Sequence, residues 1–145
     1  MPSENTRVSF KPYKRGFKKF LGDLEADVME IVWTKERATV RDVYQEMLKK
    51  RDIAYTTVMS TMSNLAKKGI LNQERQDAAY IYVPKVSKSE FAKKMVSEVL
   101  DGLLDGFSEP LLANLALLPK TTEAKKVLSE IKQMLDEDDE GQDNE

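Results

Sequence analysis

From Ala54 to Leu71 the chain reads AYTTVMSTMSNLAKKGIL, and this stretch limits the fold more than any other. At 3.6 residues per turn, Val58, Met62 and Leu65 fall on one line, while Thr56, Ser60, Ser63, Asn64 and Lys67 fall on the opposite side. The spacing predicts a helix with one apolar face and one face of hydroxyls and an amide. Ordinary surface helices carry Glu and Lys outward. This one has no carboxylate, so nothing on it repels phosphate. Such a face suits a helix lying in a DNA groove. Lys67-Lys68-Gly69 closes it, with Gly69 expected as a left-handed cap.

The neighbours decide which fold this helix belongs to. A first helix is expected from Gly22 or Asp23 to Trp33, with Leu24, Val28, Ile31 and Val32 inward. A second starts at Thr39, with Asp42 three residues on as a variant capping box, and buries Val40, Val43, Tyr44, Met47 and Leu48. After Gly69 the period changes. Residues 70–75 and 79–83 read as two strands around Gln76-Asp77-Ala78, and Pro84 stops the second. Three short helices followed by a β-hairpin make a winged helix-turn-helix.

Residues 87–135 are helical again, in three segments. Ser87 with Glu90 opens the first, which runs to about Phe107. Ser108-Glu109-Pro110 opens the second, with Pro tolerated in a first turn, and the third begins near Thr121. Their apolar stripes include Phe91, Met95, Val99, Leu103, Leu111, Leu115, Leu128 and Ile131. That is too much apolar surface to stand alone in water, and its expected partner is the same region of a second chain. The fold class is thus mainly α with a small β-hairpin. The expected division is a flexible basic arm over 1–20, a winged-helix domain over 21–86, a helical dimerisation domain over 87–135 and a disordered acidic tail over 136–145.

Composition removes several function classes. The chain has neither Cys nor His, so thiolate metal sites and Ser-His or Cys-His catalysis have no residues to use. No cofactor, metal site or enzymatic activity is expected. No run of 18 apolar residues is present and the first 20 residues have no signal-like apolar core, so a cytoplasmic protein is expected. The net charge of −2 hides segregation: six cations against one anion in residues 1–20, and seven anions with no cation in residues 136–145. Residues 35–94 hold 13 Lys or Arg against 7 Asp or Glu.

The residues expected to meet DNA are Thr56, Thr57, Ser60 and Asn64 toward bases, and Lys67 and Lys68 toward phosphates. Arg75 and Gln73 lie near the wing tip, where they reach a phosphate or minor groove, although Glu74 and Asp77 oppose this. Arg41 meets the backbone or is simply solvated. Tyr80 and Tyr82 share a strand face and read as packing residues. In the segment Lys14-Arg15-Gly16-Phe17-Lys18-Lys19-Phe20, Lys18 and Lys19 are backbone helpers, and Phe17 and Phe20 alternatively pack on the first helix. Asp101 and Asp105 sit four apart without any further catalytic signature. A winged helix can also serve as a protein-interaction module without specific DNA binding, which is the alternative function.

Together these motifs carry a family resemblance. Residues 21–33, LGDLEADVMEIVW, resemble the L-G-x-L-E-x-x-V-M-x-x-x-W opening of the BlaI/MecI/CopY penicillinase-repressor family. Thr39-Val40-Arg41-Asp42-Val43 is similar to its second-helix start, and Ala54-Tyr55-Thr56-Thr57-Val58 with Leu65-Ala66-Lys67-Lys68-Gly69-Ile70-Leu71 to its recognition helix and exit. Tyr80-Ile81-Tyr82 with Pro84 is similar to the end of its wing. The resemblance covers about residues 21–135. It implies a homodimeric repressor in which each winged helix reads half of a palindromic double-stranded operator and the C-terminal helices form the dimer. It also implies control of resistance or transport genes and, in some members, a membrane sensor-protease as a further partner. This chain departs from members that release DNA on copper binding, since it has no Cys pair. Ala113-Asn114-Leu115 is only loosely similar to the cleaved Asn-Phe bond of others, and the basic arm and acidic tail lie outside the shared region.

Overall fold

The computed structural model describes residues 9–117 and 122–142, the last five as backbone only. A 3-10 turn over Gly16–Lys19 precedes α1 (Asp23–Lys35), α2 (Val40–Leu48) and α3 (Tyr55–Lys67). The hairpin β1 (Leu71–Gln76) and β2 (Ala79–Pro84) follows, then α4 (Lys88–Leu117) and α5 (Thr122–Gln142). The chain is therefore mainly helical with one antiparallel hairpin, as its periodicity predicts.

Local chemistry sets each boundary. The Thr39 hydroxyl accepts from the Asp42 amide at 3.1 Å and the Asp42 carboxylate accepts from the Thr39 amide at 3.0 Å, so α2 opens on the expected capping box. At the end of α3, Gly69 stands at φ 77°, and the amides of Gly69 and Ile70 donate to the carbonyls of Ala66 and Leu65. This is a Schellman closure, and it turns the chain directly into β1. The hairpin pairs Gln76 with Ala79 across Asp77-Ala78, with Asp77 at φ 55°. Ala38 adds a bridge to Tyr82, donating at 3.0 Å and accepting at 2.8 Å, so the α1–α2 loop is tied to the wing.

A first compact unit extends through Val99. Its core takes Val28, Met29 and Val32 from α1, Val43 and Met47 from α2, and Val58, Met62 and Leu65 from α3, closed by Leu71 and Tyr82 of the hairpin. Each such side chain contributes about 1.5–3 kcal/mol relative to an exposed one. The inward residues of α3 are those its period predicts.

Five expectations are corrected in this unit, the first being that Leu48, expected on the buried side of α2, is exposed. Phe91 and Met95, expected to face a partner chain, are buried in this core. The first turns of α4 dock on α1: Phe17, Trp33 and Phe91 form a three-ring cluster with centroids 5.0–5.7 Å apart, and the Trp33 indole N–H donates to the Val86 carbonyl at 3.1 Å. The segment expected as a flexible arm is, from Phe10 onward, held by the same cluster. Phe10 stacks on Phe20, Leu21 is buried, Lys14 reaches Asp23 at 3.4 Å and the Lys19 ammonium donates to the Lys14 carbonyl. Residues 1–8 lie outside the described residues. Lys68, expected at phosphate, is tied to the Glu25 carboxylate at 2.7 Å. Tyr80, expected to pack beside Tyr82, is about half exposed, whereas Tyr82 is buried.

A second unit begins at Leu100. Non-helical dihedrals at Asp105, Gly106 and Phe107 break α4 there, with Gly106 at φ 96°. The predicted change of segment at Phe107–Ser108 is thus present, and Pro110 falls in the first turn after the break, where its missing N–H costs little. Asn114 lies within the following helical stretch, its side-chain amide donating to the Pro110 carbonyl at 2.8 Å. The acidic segment expected to be disordered from residue 136 continues α5 as far as Gln142, and residues 143–145 lie outside the described residues. No helix among the described residues is long and apolar enough to cross a membrane.

Candidate nucleic-acid interface

A groove of about 780 Å³ runs between the outer face of α3 and the wing. One wall is Tyr55, Met59, Ser60, Ser63, Asn64 and Lys67 of α3; the other is Gln73, Ala78, Ala79, Tyr80 and Tyr82 of the hairpin. Thr39, Val40 and Arg41 close the end beside α2. No carboxylate lines it, and it carries two cations, Arg41 and Lys67.

Its electrostatics follow from how cations are used across the unit. Lys14, Lys35, Arg37, Lys49, Arg51, Lys68 and Lys88 all stand in ion pairs. Arg41, Lys67 and Arg75 stand in none among the described residues and are exposed. Glu46 accepts a hydrogen bond from Lys49 at 2.9 Å, and that bond with the Lys49 charge holds its carboxyl below the usual carboxylate range. Burial pushes the Tyr82 phenol above its ordinary value, so Tyr82 is neutral at physiological pH and adds no negative charge to the groove.

The hairpin register sorts the wing's charges. Directly paired residues point to one face, so Arg75 with Tyr80 and Gln73 with Tyr82 share the face of Leu71, which turns toward α3. Glu74 and Gln76 share the other face, where Arg37 meets them at 4.0 and 3.3 Å. Of the two acids that stood against a wing contact, Glu74 is therefore on the far side and beside a cation, whereas Asp77 stays in the hairpin turn.

The predicted site residues do not all meet. Ser60, Asn64 and Lys67 line the groove, and Ser63 lies between them. Thr56 and Thr57 are exposed in the first turn of α3, beyond the groove lining. That turn has Ala54 at its N-cap with no side-chain bond, unlike α2, and its Thr57 amide donates to the Ala54 carbonyl at 3.1 Å. The Ser60 hydroxyl donates to the Thr56 carbonyl at 2.9 Å, which leaves its oxygen to accept from an exocyclic base amine. Lys18 and Lys19 stand on the 3-10 turn against Trp33 and do not line the groove.

Three groove residues were missed as site residues: Tyr55, Met59 and Tyr80. Each is an exposed large side chain. Tyr55 is held edge-on to Tyr44 at 5.4 Å. The signal for Met59 was available, since it lies one residue before Ser60, beside the apolar line rather than on it.

Comparison with known proteins adds relatives to this geometry. Over 81 residues, 55% of the chain, it is 41% identical to the transcriptional regulator BlaI of Mycobacterium tuberculosis, and it spans 59% of the length of that relative. It is 22% identical over 117 residues to the penicillinase repressor of Bacillus licheniformis, covering 81% of this chain and 90% of that one. The solution structure of the DNA-binding domain of the repressor BlaI is 26% identical, covers 48% of this chain and 85% of that one, and superposes with a TM-score of 0.44. The family model described as penicillinase repressor matches residues 21–137, most of the chain, and the chain belongs to that family.

Proposed function

We propose that this chain is a homodimeric, sequence-specific DNA-binding transcriptional repressor, with each winged helix reading one half of a palindromic operator in the bacterial cytoplasm. The observation that carries it is the groove between α3 and the wing: hydrogen-bonding side chains and two unpaired cations, without a carboxylate. Family membership supports the same reading, since relatives carry the names transcriptional regulator and penicillinase repressor. Ser60 and Asn64 face bases, Thr56 and Thr57 meet base edges or phosphate at the opening of α3, and Lys67, Arg41 and Arg75 bind phosphates. Lys18 and Lys19 act as peripheral backbone contacts. The apolar residues exposed from Leu100 onward form the dimer.

Gel shifts on fragmented genomic DNA from the source organism test this. Sequence-selective, salt-sensitive retardation is expected. Thr57→Ala and Asn64→Ala should reduce discrimination between retained and unretained fragments. Lys67→Ala and Arg75→Ala should weaken binding to all fragments and lower the salt slope by about one each. A chain serving only as a protein-interaction module would show no salt-sensitive retention.

A further inference from the structure

The polar stripe of α3 does not account for its whole exposed surface. Met59 is 45% exposed and Tyr80, across the groove, is 51% exposed. Both line the groove whose charge suits a polyanion. Met59 follows Thr56 by three residues and precedes Ser60 by one, so along the helix it lies beside hydroxyls expected to meet bases.

A thioether has no proton to donate and is a weak acceptor, so Met59 cannot read a base edge by hydrogen bonds. The major groove offers one apolar feature on its base edges, the 5-methyl group of thymine. A flexible, polarisable side chain presented into that groove has this as its matching target.

We propose that Met59 is a base-reading residue specifying a thymine in each half-site through its 5-methyl group, with Tyr80 closing the opposite wall against the sugar-phosphate strand. This rests on the DNA-binding reading above. Ser60, one residue on, would read a neighbouring polar edge, so the pair discriminates a methyl-bearing base beside a hydrogen-bonding one.

The test uses the full chain. Rounds of binding to a random-sequence duplex pool define the preferred sequence. Each thymine in it is then replaced singly by deoxyuridine, which removes only the methyl group, and affinities are read by gel shift at fixed salt. One position per half-site should lose about fourfold in affinity, the value of one buried methyl group. In Met59→Ala, which alters an exposed residue and should melt with the parent, that loss should vanish while the salt slope stays unchanged. Loss of the same size in parent and Met59→Ala, or none at any thymine in the parent, would overturn the proposal and leave the function standing. A pool that yields no preferred sequence would overturn both.

Discussion

The two units use the same apolar alphabet to opposite ends. Up to Val99, the long apolar side chains of α1, α2 and α3 close on one another, and Met29, Met47, Met62 and Leu65 have essentially no exposed surface. From Leu100 onward no described residue is buried, and Leu112 and Met134 are 63% and 65% exposed. A helical stripe is only half of a packing statement, and the other half is what lies opposite. In the first unit the hairpin and α4's first turns supply it. In the second unit no described side chain is fully covered, and in the proposed repressor a second copy closes these faces.

That contrast can be broken most strongly in the second unit. Leu115→Asp together with Ile131→Asp places carboxylates on the exposed apolar faces, and each should cost several kcal/mol on burial. Sedimentation should show a monomer, with the melting of the first unit unchanged. Loss of both properties would mean that the two units depend on each other for folding.

Next in size is a core cavity. Leu65→Ala should cost about 2–5 kcal/mol in urea unfolding of the first unit, whereas Leu112→Ala should leave that unit's transition in place. Smaller again is the α2 cap: Thr39→Ala should cost about 1 kcal/mol, and Thr39→Ser should restore most of it.

The smallest effect is alkaline. Burial raises the Tyr82 phenol in the folded state, so its contribution is fully present below the unfolded value of about 10 and is lost as pH rises past it. Tyr82→Phe should flatten the fall in stability above that pH, read by melting at a series of alkaline pH values.

The sequence was most legible where a contact is local. The capping box of Thr39 and Asp42, the turn at Gly69 and the inward line of Val58, Met62 and Leu65 all depend on residues within one or two turns of each other. It was least legible where partners are remote. Glu25 claims Lys68 from 43 residues away, and Trp33 binds the Val86 carbonyl from 53. Phe91 and Met95 continue α4's stripe without a break in pattern, so nothing local separates them from Leu103, yet Phe17 and Trp33 draw Phe91 into the core. For the wing, alternation groups Arg75 with Gln73, but which face turns to α3 follows from Leu71 being buried.

In the proposed repressor, two copies of the α3–wing groove read DNA, joined through the exposed helices. A hydroxyl-radical footprint of the full chain on its preferred duplex tests it most directly. Two protected patches related by a dyad are expected, spaced by about a whole number of 10–10.5 bp helical turns. A single unsymmetrical patch, or a footprint unchanged in Asn64→Ala with Lys67→Ala, would contradict it.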